Sequence, residues 1–287
     1  MLFKPSFKIP LILFLVIFSS VLFGQKSLLW EISGNGMKDT SYLYGTIHFP
    51  NKKYFYVNPK VHDIKSKVDV GVFEIILSQD SLAFISYALI AKEGERLSDI
   101  CSKQEQVEVF EYLQDNLGME KLIANNFKPI ALTTSILQAF VPADTLGAVD
   151  ELFQLDFKRL GKLIISLESI AFQSMLLTGM PVAEQKKELL DLIHNQDSLV
   201  QSIHELDSVY MSQDLKGISD LLDDLKAEQY FSKELLNDAR NMKMMDKIPS
   251  IINNQSALIC VGAAHFGGEM GLLNLLRERG YTVKPIN

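Results

Sequence analysis

Short apolar runs near the start of the chain predict strands. The runs at 28–32 and 41–44 flank a turn-prone stretch of glycine and polar residues at 33–39, which is the pattern of a β-hairpin. A third apolar run, at 68–77, is dense enough for a central strand, although Glu74 interrupts it. All three runs are therefore predicted to belong to a β-sheet.

Beyond these runs the pattern becomes helical. From about Ser81 to Leu160 the apolar positions recur at three- and four-residue steps with charged residues between them, which predicts helices. The apolar run at 162–167 follows a helix that ends at Gly161, and it is predicted to be a buried strand finishing on a carboxylate, Glu168. This alternation of helix and strand is typical of a βαβ-like core with parallel strand pairing.

The last third of the chain completes the predicted fold. Residues 183–253 are the most acidic and most plainly helical stretch, and we interpret them as a helical insertion. After an apolar strand at 256–260, a helix over 272–279 ends at Gly280, and 281–285 supply the closing strand. The sequence thus predicts an α/β to α+β fold, with a central mixed β-sheet flanked by helices and a large helical insertion.

The N-terminal segment predicts export. Two lysines precede an apolar run at 9–23, which is the order of a secretory signal peptide, and the run is shorter than the roughly 20 residues of a membrane-spanning helix. We expect residues 1–24 to be removed, leaving a single domain at 25–287 that is periplasmic or secreted. Leu22 is a poor residue for a cleavage site, so an uncleaved N-terminal membrane anchor is the alternative.

Charge and cysteine content narrow the class of protein. The chain has 28 Lys and Arg against 35 Asp and Glu, a formal net charge of −7, and an acidic body argues against a nucleic-acid partner. Its two cysteines, Cys101 and Cys260, form no Cys-x-x-Cys pair, so neither a disulfide framework nor a structural zinc site is supported. They could pair in an exporting compartment, but two free thiols are favoured because Cys260 lies within an apolar strand.

Two segments more than two hundred residues apart carry nearly the same pattern. Residues 44–49 and 261–266 each place a glycine three positions before a histidine, His48 or His265, at the end of an apolar run. Each glycine removes a side chain where a neighbouring backbone, loop or bound ion would clash. Open α/β sheets bind ligands beyond the carboxyl ends of their strands, so both imidazoles are expected at one site there. The alternative is that two strand ends carry histidine by chance.

The acidic residue in the third strand adds a further candidate ligand. A buried, unpaired carboxylate is costly, so a metal ion or a cationic side chain is the expected neighbour of Glu74, unless the strand register turns it to solvent. Zinc, manganese and cobalt accept imidazole and carboxylate ligands, and a catalytic ion needs about three protein ligands and an open position. His48, Glu74 and His265 supply that set, and such an ion would activate water for hydrolysis.

Three further charged residues are candidates for the surroundings of this site. Asp150 and Glu168 are expected to orient the imidazoles or to transfer a proton to the leaving group. Arg240 is expected to neutralise excess carboxylate or to bind a substrate carboxylate.

The other histidines are predicted to lie on the surface. His194 and His204 do not have the i, i+4 spacing that puts two ligands on one helical face, and His62 lies on a short polar helix. The sequence contains no His-Glu-x-x-His, Gly-x-Ser-x-Gly or phosphate-binding glycine-rich loop. Zincins, serine hydrolases and P-loop enzymes are therefore not supported.

Short motifs spread along the chain resemble those of a known family. Besides the two Gly-x-x-His segments there are an acidic strand and an Arg-Asn pair between them. The motifs stand at 29–32, 42–48, 73–74, 147–150, 167–168, 240–241, 261–265 and 280–283. With these motifs the chain resembles the TraB/PrgY/GumN family, which also contains the Tiki proteases.

The resemblance implies a metal-dependent protease that uses manganese or cobalt, with His48, Glu74 and His265 as the active-site residues. Zinc is the third candidate ion. The resemblance also implies a fold similar to that of erythromycin esterase and of a haem-binding lipoprotein, and other members are linked to peptide pheromone signalling. We therefore predict an exported metal-dependent hydrolase, a peptidase acting on a peptide or protein. The alternatives are a non-catalytic protein that binds a peptide or haem, and a metal-free esterase with a histidine base.

Overall fold

The computed structural model describes residues 26–141, 143–144, 147–226 and 237–287, so the predicted signal peptide at 1–24 lies outside the described residues. Within these ranges, six strands form one sheet. They are β1 Leu29–Gly34, β2 Ser41–Thr46, β3 Val70–Phe73, β4 Leu163–Ser166, β5 Ala257–Gly262 and β6 Tyr281–Pro285.

The helices of the described residues lie mostly between β2 and β5 in the sequence. In chain order they are α1 Lys52–Phe55, α2 Lys60–Lys67, α3 Gln79–Ala88, α4 Leu97–Ile100, α5 Lys103–Leu117, α6 Lys121–Ala124, α7 Pro129–Phe140, α8 Val149–Arg159, α9 Ile170–Thr178, α10 Val182–His194, α11 Gln196–Met211, α12 Leu215–Lys226, α13 Ala239–Asn254 and α14 Leu272–Glu278. A 3₁₀ turn, Ala263–His265, follows β5 directly.

The sheet has the strand order β4-β3-β5-β2-β1-β6. The predicted hairpin is confirmed, because β1 pairs with β2 antiparallel, and β6 pairs antiparallel with the other edge of β1. The remaining neighbours, β2 with β5, β5 with β3 and β3 with β4, are parallel. The mixed sheet and flanking helices confirm the predicted fold class.

Two strands differ from their predicted form. The strand expected at 68–77 is only β3, which ends at Phe73, so Glu74 lies just beyond the strand rather than inside it. The strand expected to be buried at 162–167 is β4, but Leu163 is 62% exposed. This burial was wrongly predicted because β4 is the edge of the sheet and has a neighbouring strand on one side only.

Two separate clusters of buried apolar side chains stabilise the fold. The sheet core contains β5 and aromatic side chains such as Tyr44, Phe153 and Phe157. The helical core is built mainly by α5, α7 and α10. Full burial of each large apolar side chain contributes roughly 1.5–3 kcal/mol, so both clusters contribute to the stability of the chain.

The segment interpreted as an insertion, 183–253, serves both cores. Its helix α10 packs on α7 in the helical core, whereas Tyr210 of α11 and Leu215 of α12 belong to the sheet core. Residues 227–236 of this segment lie outside the described residues. Both cysteines are buried and free, as predicted.

Candidate active site

The two Gly-x-x-His segments lie side by side. In the parallel pair β2–β5, Thr46 is opposite Gly262, so the carboxyl ends of the two strands lie side by side. The sequence indicated that the two strands end on the histidines, but they end earlier. His48 comes two residues after β2, and His265 ends the 3₁₀ turn after β5. Both rings therefore lie just beyond the carboxyl ends of these strands.

Glu74 lies between the two rings. It follows β3 directly, on the other side of β5, and its Oε1 atom accepts a hydrogen bond from the backbone N–H of Gly262 at 2.7 Å. The distances from Oε1 to the Nε2 atoms of His48 and His265 are 3.9 and 3.7 Å. The structure therefore brings together the three residues that the sequence singled out.

The other oxygen of Glu74 faces a cation. Nη2 of Arg240 donates to Oε2 of Glu74 at 2.5 Å and to Oε2 of Glu168 at 2.7 Å, and Nε of Arg240 donates to Oε1 of Glu168 at 2.9 Å. Gln173 donates from Nε2 to the same two carboxylates. Both glutamates are 5% exposed, so the alternative in which Glu74 faces solvent does not hold.

These contacts set the charge of Glu74. Burial alone would raise its pKa, but Arg240, the protonated forms of His265 and His48, and the hydrogen bond from Gly262 lower the pKa to about 2. Glu74 is thus held as a carboxylate at neutral pH. Arg240 fills the first of the two roles expected for it, the neutralisation of excess carboxylate.

His48 is held by a carboxylate. Its Nδ1 atom is 2.9 Å from Oδ2 of Asp150 in the first turn of α8, and Thr46 donates to the other oxygen of Asp150 at 2.7 Å. The side chain of His48 is 64% exposed. The negative charge of Asp150, helped by that of Glu74, raises the pKa of His48 to about 9.

His265 is held by an amide instead. It is 3% exposed, and its Nδ1 atom is 2.7 Å from Oδ1 of Asn241 on α13. The Nδ2 atom of Asn241 donates to the carbonyl oxygens of Met270 and His265. This network assigns Oδ1 as the acceptor and Nδ1–H of His265 as the donor. Burial lowers the pKa of His265 to about 4.

The two motif glycines have different neighbours. A β-carbon added at Gly45 would lie 3.0 Å from Cβ and 3.1 Å from Cα of Ala263, so this glycine lets the two segments pack closely. A β-carbon at Gly262 would lie 3.3 Å from Oε1 of Glu74 and 3.7 Å from Nε2 of His48. Gly262 therefore keeps a side chain out of the space that the candidate ligands surround.

Asn241 and Gln173 contribute to this site but are not among the site residues predicted from the sequence. Asn241 had a signal, since it belongs to the Arg-Asn motif, but only Arg240 was selected from that pair. Gln173 had none, because a glutamine on an apolar helix has no distinguishing spacing. Each donates hydrogen bonds that fix a candidate ligand or its carboxylate partner.

The remaining histidines lie away from this site. His194 and His204 are exposed, as predicted. His62 lies on the predicted short helix, α2, but is only partly exposed: its ring stacks on Phe153 at a centroid distance of 5.8 Å, and its Nε2 atom is 3.0 Å from the carbonyl oxygen of Phe55. The ring packs against the aromatic side chains of Phe55 and Phe153, which reduces its exposure.

The polar site opens into a cavity of about 490 Å³, whose wall includes His48, Glu74, Asp150 and Arg240. Among the residues that the structure describes, no group of three or more His, Cys, Asp or Glu side chains forms a ready metal site. No helix of the described residues has both the length and the apolar character needed to cross a bilayer.

Comparison with known proteins gives one match. The model of the TraB/PrgY/gumN family matches residues 28–285, which is nearly the whole chain. No curated protein and no solved structure matches the chain significantly.

Proposed function

Since the chain belongs to the TraB/PrgY/gumN family, we propose that it is an exported metal-dependent hydrolase, a peptidase, in which His48, Glu74 and His265 hold a divalent ion. One observation carries the proposal: two imidazoles and a buried carboxylate from three distant parts of the sequence converge beyond the carboxyl ends of β2, β5 and β3. Manganese or cobalt is the proposed ion, with zinc as the third candidate.

The distance of each histidine from Glu74 is compatible with one shared ion. Ligands about 2.1 Å from a common ion are at most about 4.2 Å apart. The Nε2 atoms of His48 and His265 lie 3.9 and 3.7 Å from Oε1 of Glu74, inside that limit. As placed, the side chains do not form a closed coordination shell, so a small movement of the exposed His48 would accompany binding.

The hydrogen bonds behind the imidazoles also suit a metal. A ligating histidine usually donates its second N–H to a carboxylate or carbonyl oxygen, which fixes the tautomer and the orientation of the ring. Asp150 accepts from His48, and Asn241 accepts from His265, both at the Nδ1 atom. This arrangement leaves Nε2 of each ring directed to Oε1 of Glu74.

The remaining residues have supporting roles in this proposal. A bound ion would supply Lewis acidity and activate water toward a carbonyl carbon. Arg240 and Gln173 keep Oε2 of Glu74 occupied, so that Oε1 alone faces the histidines. Glu168 completes the positioning of Arg240 from the opposite side. Bonded to Arg240 in this way, Glu168 acts as a positioning residue rather than as a proton donor.

Metal content and turnover test the proposal together. Purified protein loaded with manganese is expected to retain about one ion per chain and to cleave members of a peptide library, with both properties lost in Glu74→Gln and in His265→Ala. His204→Ala, which changes an exposed histidine far from the site, is the matched control and should keep both. Full metal retention in both site variants would contradict the proposal.

The same preparation separates the alternatives. Turnover that survives a chelator but is lost in His48→Ala would indicate a metal-free esterase. Haem absorbance in the purified protein, without turnover, would indicate a binding protein. Mass spectrometry of the N-terminus of protein recovered from outside the cytoplasm tests export, which is expected to leave a chain that begins near Gln25.

A further inference from the structure

The cavity beside the candidate ligands has a wall made largely of carbon. Its volume is about 490 Å³, within the usual range of about 300–1,000 Å³ for small-ligand sites. The apolar side chains in this wall are Phe73, Ile75, Leu77, Ala148 and Leu176.

The amide side chains in the wall, those of Gln154 and Gln173, are hydrogen-bonded to the protein itself. Nε2 of Gln154 donates to the carbonyl oxygen of Ile75 at 3.0 Å, and Oε1 of Gln154 accepts from the backbone N–H of Leu77 at 2.9 Å. The amide of Gln173 donates to Glu74 and Glu168. A polar ligand group entering here would give up its hydrogen bonds to water and would find both ends of the Gln154 amide and the Nε2 atom of Gln173 already hydrogen-bonded, which disfavours binding.

Charge further restricts what the cavity can hold. The charged side chains in its wall are paired with one another, Glu74 with Arg240 and Asp150 with His48, so an acidic or a basic ligand group would have to compete with one member of these pairs. An apolar group has no hydrogen bonds or charge to give up, so it meets neither cost. Its burial is favourable, since each buried CH₂ contributes about 0.8 kcal/mol.

We propose that this cavity is a specificity pocket that takes an aromatic or long aliphatic side chain of a peptide substrate. The inference rests on the proposed function, since His48 and Glu74 lie in the same wall and would be next to the bond that is cleaved. The volume is sufficient for the whole side chain of phenylalanine, leucine or methionine. The pocket therefore selects peptides by a bulky apolar residue adjoining the cleaved bond.

Binding can be measured apart from turnover. Fluorescein-labelled peptides Gly-Gly-X-Gly-Gly, with X as Phe, Leu, Ala, Asp or Lys, are titrated with the full mature chain in the presence of a chelator, and fluorescence polarisation reports the affinity. The Phe and Leu peptides are expected to bind at least tenfold more tightly than the Ala, Asp and Lys peptides. The same peptides with manganese in place of chelator then report the preference in kcat/KM.

A pair of alanine variants tests whether the preference comes from this cavity. Ala148→Leu fills part of the pocket and is expected to weaken binding of the Phe peptide about tenfold while leaving the Ala peptide nearly unchanged. Ala83→Leu, at an exposed alanine of α3 outside the cavity, is the matched control and should keep the wild-type preference.

The outcomes distinguish this inference from the function beneath it. Equal affinity for all five peptides, no binding of any of them, or a preference that Ala148→Leu does not change would overturn the specificity pocket. A clear apolar preference in binding without any turnover in manganese would support the pocket and count against the proposed hydrolysis.

Discussion

The two Gly-x-x-His segments, 44–49 and 261–266, have nearly the same sequence and very different surroundings. His48 is 64% exposed and paired with the carboxylate of Asp150, whereas His265 is 3% exposed and paired with the amide of Asn241. The pKa is raised to about 9 at the first ring and lowered to about 4 at the second.

This difference teaches that the motif fixes where a ring lies but not what it can do. The parallel pairing of β2 with β5 brings both rings to one carboxylate. The helix behind each ring then supplies its partner, the carboxylate of Asp150 on α8 for His48 and the neutral amide of Asn241 on α13 for His265. The partner affects whether the ring is protonated. We infer that His265 is the rigid member of the pair and that His48 is the one able to move.

Removal of each ring should give the largest contrast. His265→Ala leaves a buried cavity and an amide oxygen of Asn241 without its donor, so the free energy of unfolding is expected to fall by about 2–4 kcal/mol. His48→Ala removes an exposed ring and should cost below about 1 kcal/mol. Urea unfolding followed by circular dichroism, with chelator present, measures both. Similar losses in the two variants would show that the rings are equally integrated in the fold.

The glycines should separate packing from ligand geometry. Gly45→Ala drives a methyl group against Ala263, including its backbone, and is expected to cost about 1–3 kcal/mol of stability. The double variant Gly45→Ala/Ala263→Gly should recover part of that loss.

Gly262→Ala meets mainly the carboxylate of Glu74 and should weaken metal binding more than folding. Isothermal titration with manganese and thermal unfolding report the two effects. A Gly262→Ala protein that binds metal normally would contradict this assignment.

The partner of the exposed ring should affect metal binding more than folding. Asp150→Asn keeps the size of the side chain and one acceptor oxygen but removes the charge behind His48. Since such partners typically contribute about 10–100-fold to metal affinity, we expect a loss of at least about tenfold, with little change in melting temperature. Asp63→Asn, at an exposed carboxylate of α2, is the control. Unchanged affinity in Asp150→Asn would mean that the hydrogen bond alone positions the ring.

A small, pH-dependent effect is expected at the start of the strand that carries the second segment. Asp69 accepts hydrogen bonds from the side chain and backbone of Ser256, and these bonds lower its pKa. Because the folded pKa lies below the unfolded one, the stabilisation is present at neutral pH and is lost as the pH falls below the ordinary value of 3.8.

Asp69 is exposed, so solvent screening should keep its contribution below about 1 kcal/mol. The wild type and Asp69→Asn are therefore expected to differ in urea midpoint at pH 6, and the difference should shrink as the pH falls below 3.8. A difference that persists at low pH would mean that the carboxylate charge is not involved.

Much of the sheet could be predicted from the sequence because strands and helices differ in apolar period. The meeting of His48 and His265 followed from strand ends, whereas Glu74 was expected inside its strand. A cationic side chain was one of the two neighbours expected for Glu74, from the cost of burying a charge. These predictions use local pattern and general energetics. The structure bears them out in the pairing of β2 with β5 and in the contact with Arg240.

The differences between the two rings could not be predicted in this way. The burial of His265 and its bond to Asn241 depend on how α13 packs against the turn after β5. That packing is set by side chains far away in the sequence. The exposure of β4 depends likewise on strand order, which no local pattern encodes. The stacking of His62 on Phe153 has the same origin, since the two residues belong to different helices.

The central place of β5 in the sheet has a consequence for the order of assembly. During synthesis the chain can first form two isolated ladders, β1 with β2 and β3 with β4. Neither ladder pairs with the other directly, because the segment from Ala257 lies between them and pairs with both. The emerging polypeptide therefore lacks the middle strand of its sheet. A chain truncated before Ala257 also lacks β6, so it is expected to expose the unpaired edges of β1, β2 and β3, the kind of surface on which proteins aggregate.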